Sequence, residues 1–281
     1  MEMSTLWLSF FGVTTEVYAS TTDCVELAFF FRRFMVEAQS ASDIRVELTS
    51  ASDSGFFRSL LRKDGSLKSV RVVSPEGVTE TSFSGWSGRP SPLPPFGYQP
   101  LRDRVCVLPG ACVEAPDGTT LIIRGSTHAG KTAVEVTLAL RGYHVLSDHL
   151  IVLDRTSGQV FPYMTPVGFR GALLEQHRAS LSLVETRSTF SEQTGEVVLA
   201  DLEAVIPGCA AQWPRTPHAV IHVGPVASGP DWRTLCFPRD AAEDALRLLP
   251  PDTCPIGTVG DMSHELWSSP TFTHDQCSGL G

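Results

Sequence analysis

The sequence predicts an α/β protein in which a strand, a glycine-containing loop and a helix follow one another near the middle of its 281 residues. The apolar, β-branched run 119–123 is typical of a buried strand, and the run 133–140 is typical of a mostly buried helix. A cation and a glycine at 141–142 then mark the helix end. A second apolar run, 143–154, predicts another strand directly afterwards.

The loop between the first strand and the helix matches the phosphate-binding pattern G-x-x-x-x-G-K-[S/T]. This glycine loop consists of Gly125, Ser126, Thr127, His128, Ala129, Gly130, Lys131 and Thr132. Glycines allow the backbone to approach a ligand closely, and N–H groups at a helix N-terminus attract phosphate oxygens. We therefore expect all eight residues to bind a nucleotide, with Lys131 on its β- and γ-phosphates and Thr132 on Mg²⁺. The alternative is an ordinary strand–turn–helix with an incidental lysine.

An acid within the second apolar run is the other feature expected of a nucleotide site. Asp148 follows the glycine loop after one helix, and a carboxylate at such a place supports Mg²⁺. We expect Thr132 and Asp148 to hold the metal together.

The block GKT, helix, LALRGYHVLSDHLIVLD resembles the HPr kinase/phosphorylase family, in particular the related kinases that act in the biosynthesis of lasso peptides. Members of that family carry a phosphate loop, a helix ending in L-x-x-R-G, and a strand with an acidic pair. The resemblance covers residues 105–154. It implies a P-loop domain of the HPr kinase/PEP carboxykinase type in residues 101–281. A small β-rich domain with a proline-rich connector is expected before it, in residues 1–100.

The resemblance also implies an activity: ATP- and Mg²⁺-dependent transfer of phosphate to a hydroxyl of a peptide or a natural-product intermediate. The stretch 160–171 resembles the family's loop where acceptor and γ-phosphate meet. Arg170 within it is expected to neutralise charge on the transferred group together with Lys131. A surface arginine without a catalytic role is the alternative.

Two departures from the family pattern leave the chemistry open. The family's acidic pair is Asp148-His149 here, and its His-Gly pair before the phosphate loop is Pro109-Gly110. The catalytic base is therefore either Asp148 or His149, since an imidazole can accept a proton near neutral pH. His149 can equally be a partly buried strand residue held by a backbone hydrogen bond. The alternative functions are a nucleotide-binding accessory module without phosphate transfer, a regulatory protein-serine kinase, or a nucleotide-dependent enzyme with another outcome, such as hydrolysis or activation for elimination.

The composition limits which binding partners and which cellular location are expected. The net charge of −9 argues against nucleic-acid binding, and no apolar run is long enough to span a membrane. Because no signal peptide is recognisable, a cytoplasmic location is expected. The seven cysteines show no metal-binding or paired spacing, so neither zinc nor a disulfide scaffold is expected. Homo-oligomerisation stays open.

Short patterns predict the remaining elements. Strands are expected at 6–13, 14–18, 44–49, 196–201 and 218–223, a hairpin at 66–73 and 77–83, and helices at 172–187 and 239–249. The run 24–35 fits either a strand or a helix. His218 and His222 share one strand face, and without a third ligand nearby they are interpreted as structural histidines.

Overall fold

The computed structural model describes residues 2–52, 55–56, 65–84, 101, 104–125, 129–191, 195–223 and 258–260. These residues fall into two compact units, one ending at Arg104 and the other beginning at Val105. Both combine helices with a larger share of strands, so the fold is a mixed α/β one. The domain boundary expected at residue 100 lies outside the described ranges and stays a prediction. In the described part of the chain no helix has the length and apolar character needed to cross a membrane.

The first unit is built on one five-stranded sheet in the order β1-β2-β3-β4-β5. Its strands are β1 (Met3–Phe10), β2 (Val13–Ser20), β3 (Ile44–Ser50), β4 (Leu67–Ser74) and β5 (Gly77–Ser84). Only β2 and β3 are parallel, and helix α1 (Thr21–Phe30) with a 3-10 turn (Arg32–Phe34) lies between them in the chain. The ambiguous run 24–35 is therefore mostly helical.

Local patterns explain this unit. Ile44, Val46 and Leu48 are buried along β3 while the residues between them are more exposed, the alternation expected of a strand with one core face. Ser20 begins α1 by accepting a hydrogen bond from the Asp23 N–H at 3.1 Å. The predicted strand at 44–49 and the predicted hairpin are both confirmed.

The described residues of the second unit form three sheets, ordered β16-β15-β8-β7-β9, β11-β10-β6 and β12-β14-β13. The strands are β6 (Val105–Pro109), β7 (Ala111–Glu114), β8 (Thr120–Arg124), β9 (His144–Ser147), β10 (Leu150–Asp154), β11 (Val160–Phe161), β12 (Val167–Arg170), β13 (Thr186–Ser191), β14 (Gly195–Ala200), β15 (Ala219–His222) and β16 (Thr258–Gly260). The helices are α2 (Lys131–Ala139), α3 (Gly171–Leu181) and α4 (Leu202–Val205).

Strand β8 lies in the middle of the larger sheet, parallel to β15 and antiparallel to β7. Its residues 121–123 are fully buried, as the apolar, β-branched sequence predicts. Helix α2 shares a hydrophobic core with this strand, through Val134, Val136 and Leu138 on the helix. The strand and the helix predicted on either side of the glycine loop are therefore confirmed, and α2 is fixed against the sheet that precedes it.

The run 143–154, predicted as one strand, is two strands in different sheets, so that prediction is wrong. The chain turns at Asp148 and His149, where His149 has φ +66, a left-handed conformation that residues other than glycine seldom adopt. The Gly110 N–H donates to the His149 carbonyl oxygen at 2.9 Å and fixes the turn. The interpretation of His149 as a strand histidine is wrong for the same reason.

The other predicted elements of this unit are confirmed or shortened. Helix α3 ends at Leu181 and not at residue 187, because the Leu183 N–H turns back to the Ser180 carbonyl and β13 then pairs with β14. The strands predicted at 196–201 and 218–223 are β14 and β15. The helix predicted at 239–249 and the proline-rich connector lie outside the described residues.

Candidate functional site

The glycine loop joins the end of β8 to the start of α2. At Gly125, a Cβ would lie 2.1 Å from the carbonyl oxygen of Val223, so only glycine fits without a shift of the backbone. At the other end Gly130 has φ +95 and accepts the first helical hydrogen bond, from the Val134 N–H at 3.0 Å. Ala129 packs against the core of the unit. Residues 126–128 lie outside the described ranges, and their nucleotide contacts stay predictions.

Gly125→Ala is expected to destabilise the protein by about 1–3 kcal/mol, the usual cost of forcing extra atoms into a packed site. It should also weaken nucleotide binding, since the loop or β15 must move to admit the methyl group. Thermal unfolding and ATP titration measure the two effects. The control is Gly118→Ala, where φ is +89 but no atom lies within 4 Å of the new methyl. An equal loss of ATP binding in both variants would contradict the prediction.

Lys131 is half-buried at the first position of α2. Its ammonium Nζ donates to the Gly125 carbonyl oxygen at 2.9 Å, which ties the two ends of the glycine loop together. Burial lowers the pKa of Lys131, the charge of Asp148 raises it, and the charge of Arg170 lowers it. Lys131 therefore lies within electrostatic reach of two further residues predicted to belong to the site.

Asp148 is the centre of a second group of predicted residues. Its side chain is buried, and the Thr132 hydroxyl donates to Asp148 Oδ1 in a long contact of 3.5 Å. On its other side His149 Nε2 lies 3.5 Å from Asp148 Oδ2, and the imidazole is about half exposed. The structure therefore brings Thr132, Asp148 and His149 together at the corner between β9 and β10.

The side chains of Thr132 and Asp148 are suited to binding a magnesium ion. A carboxylate and a hydroxyl are hard oxygen ligands, and Mg²⁺ commonly uses one or two such side chains with substrate phosphates and waters. Within the described ranges no group of three or more His, Cys, Asp or Glu side chains could enclose a metal by itself. The set at Thr132 and Asp148 suits an ion that shares its coordination with a nucleotide.

Arg170 is the last residue of β12 and directly precedes α3. It is partly buried, and its charge acts on Lys131 as described above. Arg170 thus lies within electrostatic range of Lys131, although the two residues are far apart in sequence. Its role toward a transferred phosphate stays a prediction.

Glu135 is a buried acid that the sequence reasoning did not single out. It lies on α2 one turn after Thr132 and is fully buried. Burial and the charge of Asp148 raise the pKa of Glu135 well above its ordinary value. An acid on an apolar helix, three residues after Thr132, was the available signal in the sequence.

The pair Pro109-Gly110 lies against the same corner. Pro109 pairs with Leu150 at the start of β10, next to His149. A Cβ at Gly110 would lie 2.8 Å from both the Ile123 carbonyl oxygen and the Ile151 side chain, so a larger residue would displace β8 or β10. The place where the resemblance expects His-Gly is therefore close to Asp148 and His149 in space.

His218 has a structural role, as interpreted from the sequence. Its Nδ1 accepts a hydrogen bond from the Thr120 N–H at 3.0 Å, at the start of β8. The side chain of His222 is not among those described. His218 thus contributes to the strand that leads into the glycine loop.

No protein-family model matches this sequence, and no curated protein gives a significant match. Among solved structures, the chain is similar to the Hpr(Ser) kinase/phosphatase from Coxiella burnetii. The match has 14% sequence identity and a TM-score of 0.28, and covers 44% of this chain and 69% of that chain. Because identity and TM-score are both low, the function proposed below rests on the side chains of the site.

Proposed function

We propose that this protein is an ATP- and Mg²⁺-dependent kinase of the HPr kinase-like type. It transfers phosphate to a hydroxyl of a peptide or natural-product intermediate in a biosynthetic pathway. One observation carries the proposal: the lysine and threonine that end the glycine loop both act on Asp148, Thr132 through a 3.5 Å contact and Lys131 through its charge. A loop lysine, a loop hydroxyl and a carboxylate are the parts that P-loop phosphotransferases share.

The residues divide the work on ATP. Backbone N–H groups of the glycine loop and the N-terminus of α2 favour the phosphates. Lys131 and Arg170 stabilise charge on the group in transfer, and the attraction of ATP phosphates replaces the bond from Lys131 to Gly125. Thr132 and Asp148 would hold Mg²⁺, which supplies charge neutralisation on the β- and γ-phosphate oxygens.

His149 is better placed than Asp148 to take the proton of the acceptor hydroxyl. Asp148 is buried and turned towards Thr132, whereas the His149 imidazole is about half exposed. Because Nε2 of His149 faces Asp148 Oδ2, Nδ1 is left to accept the proton. The neighbouring carboxylate then stabilises the imidazolium that forms, as in other paired carboxylate–histidine sites.

A nucleotide-binding module without phosphate transfer is the second candidate. It is favoured by the corner itself, where an imidazole follows Asp148 and a second acid does not. The same binding residues would serve it, namely the glycine loop with Thr132 and Asp148. A regulatory protein-serine kinase would also use them and would differ only in its acceptor.

The deciding experiment incubates the full chain with ATP, Mg²⁺ and a panel of hydroxyl-bearing peptides and small molecules. ADP release that depends on an acceptor, with an acceptor mass increased by one phosphate, is the expected result. Tight ATP binding without any transfer would favour the accessory module. ADP formation that no acceptor stimulates would indicate a hydrolase. A chain that binds no nucleotide would overturn the assignment of the glycine loop.

A further inference from the structure

Glu135 occupies a position that ordinary packing does not explain. It follows Thr132 by three residues on α2, so the two side chains share one face of the helix. Its side chain is fully buried, and among the residues described neither carboxylate oxygen meets a hydrogen-bond donor. Burying an acid without a donor is costly, so its presence calls for a compensating interaction.

The neighbour of Glu135 is in a similar position. Asp148 is buried beside Thr132, and its Oδ2 makes no hydrogen bond in the described part of the chain, with His149 Nε2 3.5 Å away. Oδ1 of Asp148 has only the long contact with the Thr132 hydroxyl. Two acids and a hydroxyl thus converge at the start of α2 with too few donors between them. Clustered hard oxygens of this kind are suited to a divalent cation.

We propose that Glu135 is a second carboxylate of the divalent-cation site at Thr132 and Asp148. This inference rests on the proposed function, because the cation is the one that accompanies the nucleotide there. One ion would satisfy the buried oxygens of both acids at once, which no hydrogen bond from the described residues does. Thr132 and Glu135 come from one helix, and Asp148 comes from the corner after β9, so the site joins α2 to that corner.

The test measures cation binding directly, with Mn²⁺ as the probe, ADP present, and free Mn²⁺ followed by electron paramagnetic resonance on the full chain. Glu135→Gln keeps the shape and removes the charge, and it should lower Mn²⁺ affinity by about tenfold or more, the usual cost of losing a ligand-shell group. Without metal, in a chelator, the variant's ADP affinity and its unfolding temperature should be no lower than those of the parent. The matched control is Glu175→Gln, an exposed helical acid paired with Arg178, which should leave Mn²⁺ affinity unchanged.

Each outcome decides the matter. Parental Mn²⁺ affinity in Glu135→Gln overturns the inference, and so does a loss of Mn²⁺ binding accompanied by easier unfolding in chelator, which would indicate a structural role. If Glu135→Gln does not fold, Glu135→Asp takes its place, because the shorter side chain keeps the carboxylate but moves it away from the cation site. Unchanged Mn²⁺ affinity in Glu135→Asp would then count against the proposal. If the parent binds ADP and Glu135→Gln has parental Mn²⁺ affinity, this inference fails and the proposed function stands. A parent that binds no ADP defeats the proposed function as well.

Discussion

Lys131→Ala is expected to abolish phosphate transfer, with a fall of about 10²- to 10³-fold or more in kcat/KM, the scale on which enzymes lose a preorganised charge contact. The ammonium is the loop's point charge for the β- and γ-phosphates, and no other lysine lies in the glycine loop. Its removal should not unfold the chain. Burial already lowers the pKa of Lys131, so the folded protein holds this charge at some cost, which offsets the loss of the bond to Gly125.

Steady-state assays with ATP and an identified acceptor measure this loss, and thermal unfolding checks the fold. Arg178→Ala is the matched control: it removes an exposed cation of α3 that pairs with Glu175, and activity should be parental. Undiminished transfer by Lys131→Ala at saturating ATP would show that phosphate is not held by the glycine loop.

The part of the site that is continuous in sequence could be predicted from the sequence. Local structure is specified by three short stretches: the run 119–123, the two loop glycines and the apolar run after Thr132. These stretches account for β8 and α2. Asp148 was also recognisable, as an acid within the next apolar run. In these cases the determining interactions lie within a few residues of the pattern itself.

The turn at Asp148 and His149 could not be predicted in the same way. Tyr143 to Asp154 is apolar enough to continue as one strand, and no glycine or proline marks a break. The left-handed conformation of His149 is imposed by the antiparallel pairing of β10 with β6 and by the bond from the Gly110 N–H. Tertiary pairing therefore overrides local preference here.

Arg170 and Glu135 show two further limits. The effect of the Arg170 charge on the pKa of Lys131 depends on the position of β12 within the unit. The sequence around Arg170 does not predict that position. Glu135 belongs to a helix whose buried face is known only once α2 has packed against the sheet. Its electrostatic interaction with Asp148 also depends on the turn at the corner, which was not predicted.

Asp148→Asn is expected to reduce turnover at saturating ATP and Mg²⁺ by about 10²- to 10³-fold, while nucleotide binding without metal changes much less. The amide keeps the shape of the side chain but loses the charge that would hold the ion with Thr132. The fold should survive, because the amide has the same size as the carboxylate, and a neutral group there ends the charge repulsion with the buried Glu135.

Asp154→Asn provides the control for that variant, since Asp154 is the next acid along the chain. Oδ1 of Asp154 accepts hydrogen bonds from the N–H groups of Thr156 and Ser157, at 2.9 and 2.8 Å, so this carboxylate shapes the turn after β10. An asparagine oxygen can accept both bonds, and activity should be parental. Rates measured against Mg²⁺ concentration separate the two acids. If Asp148→Asn retains full turnover while Asp154→Asn loses it, the cation is held at the other end of β10, and the site built around Asp148 is wrong.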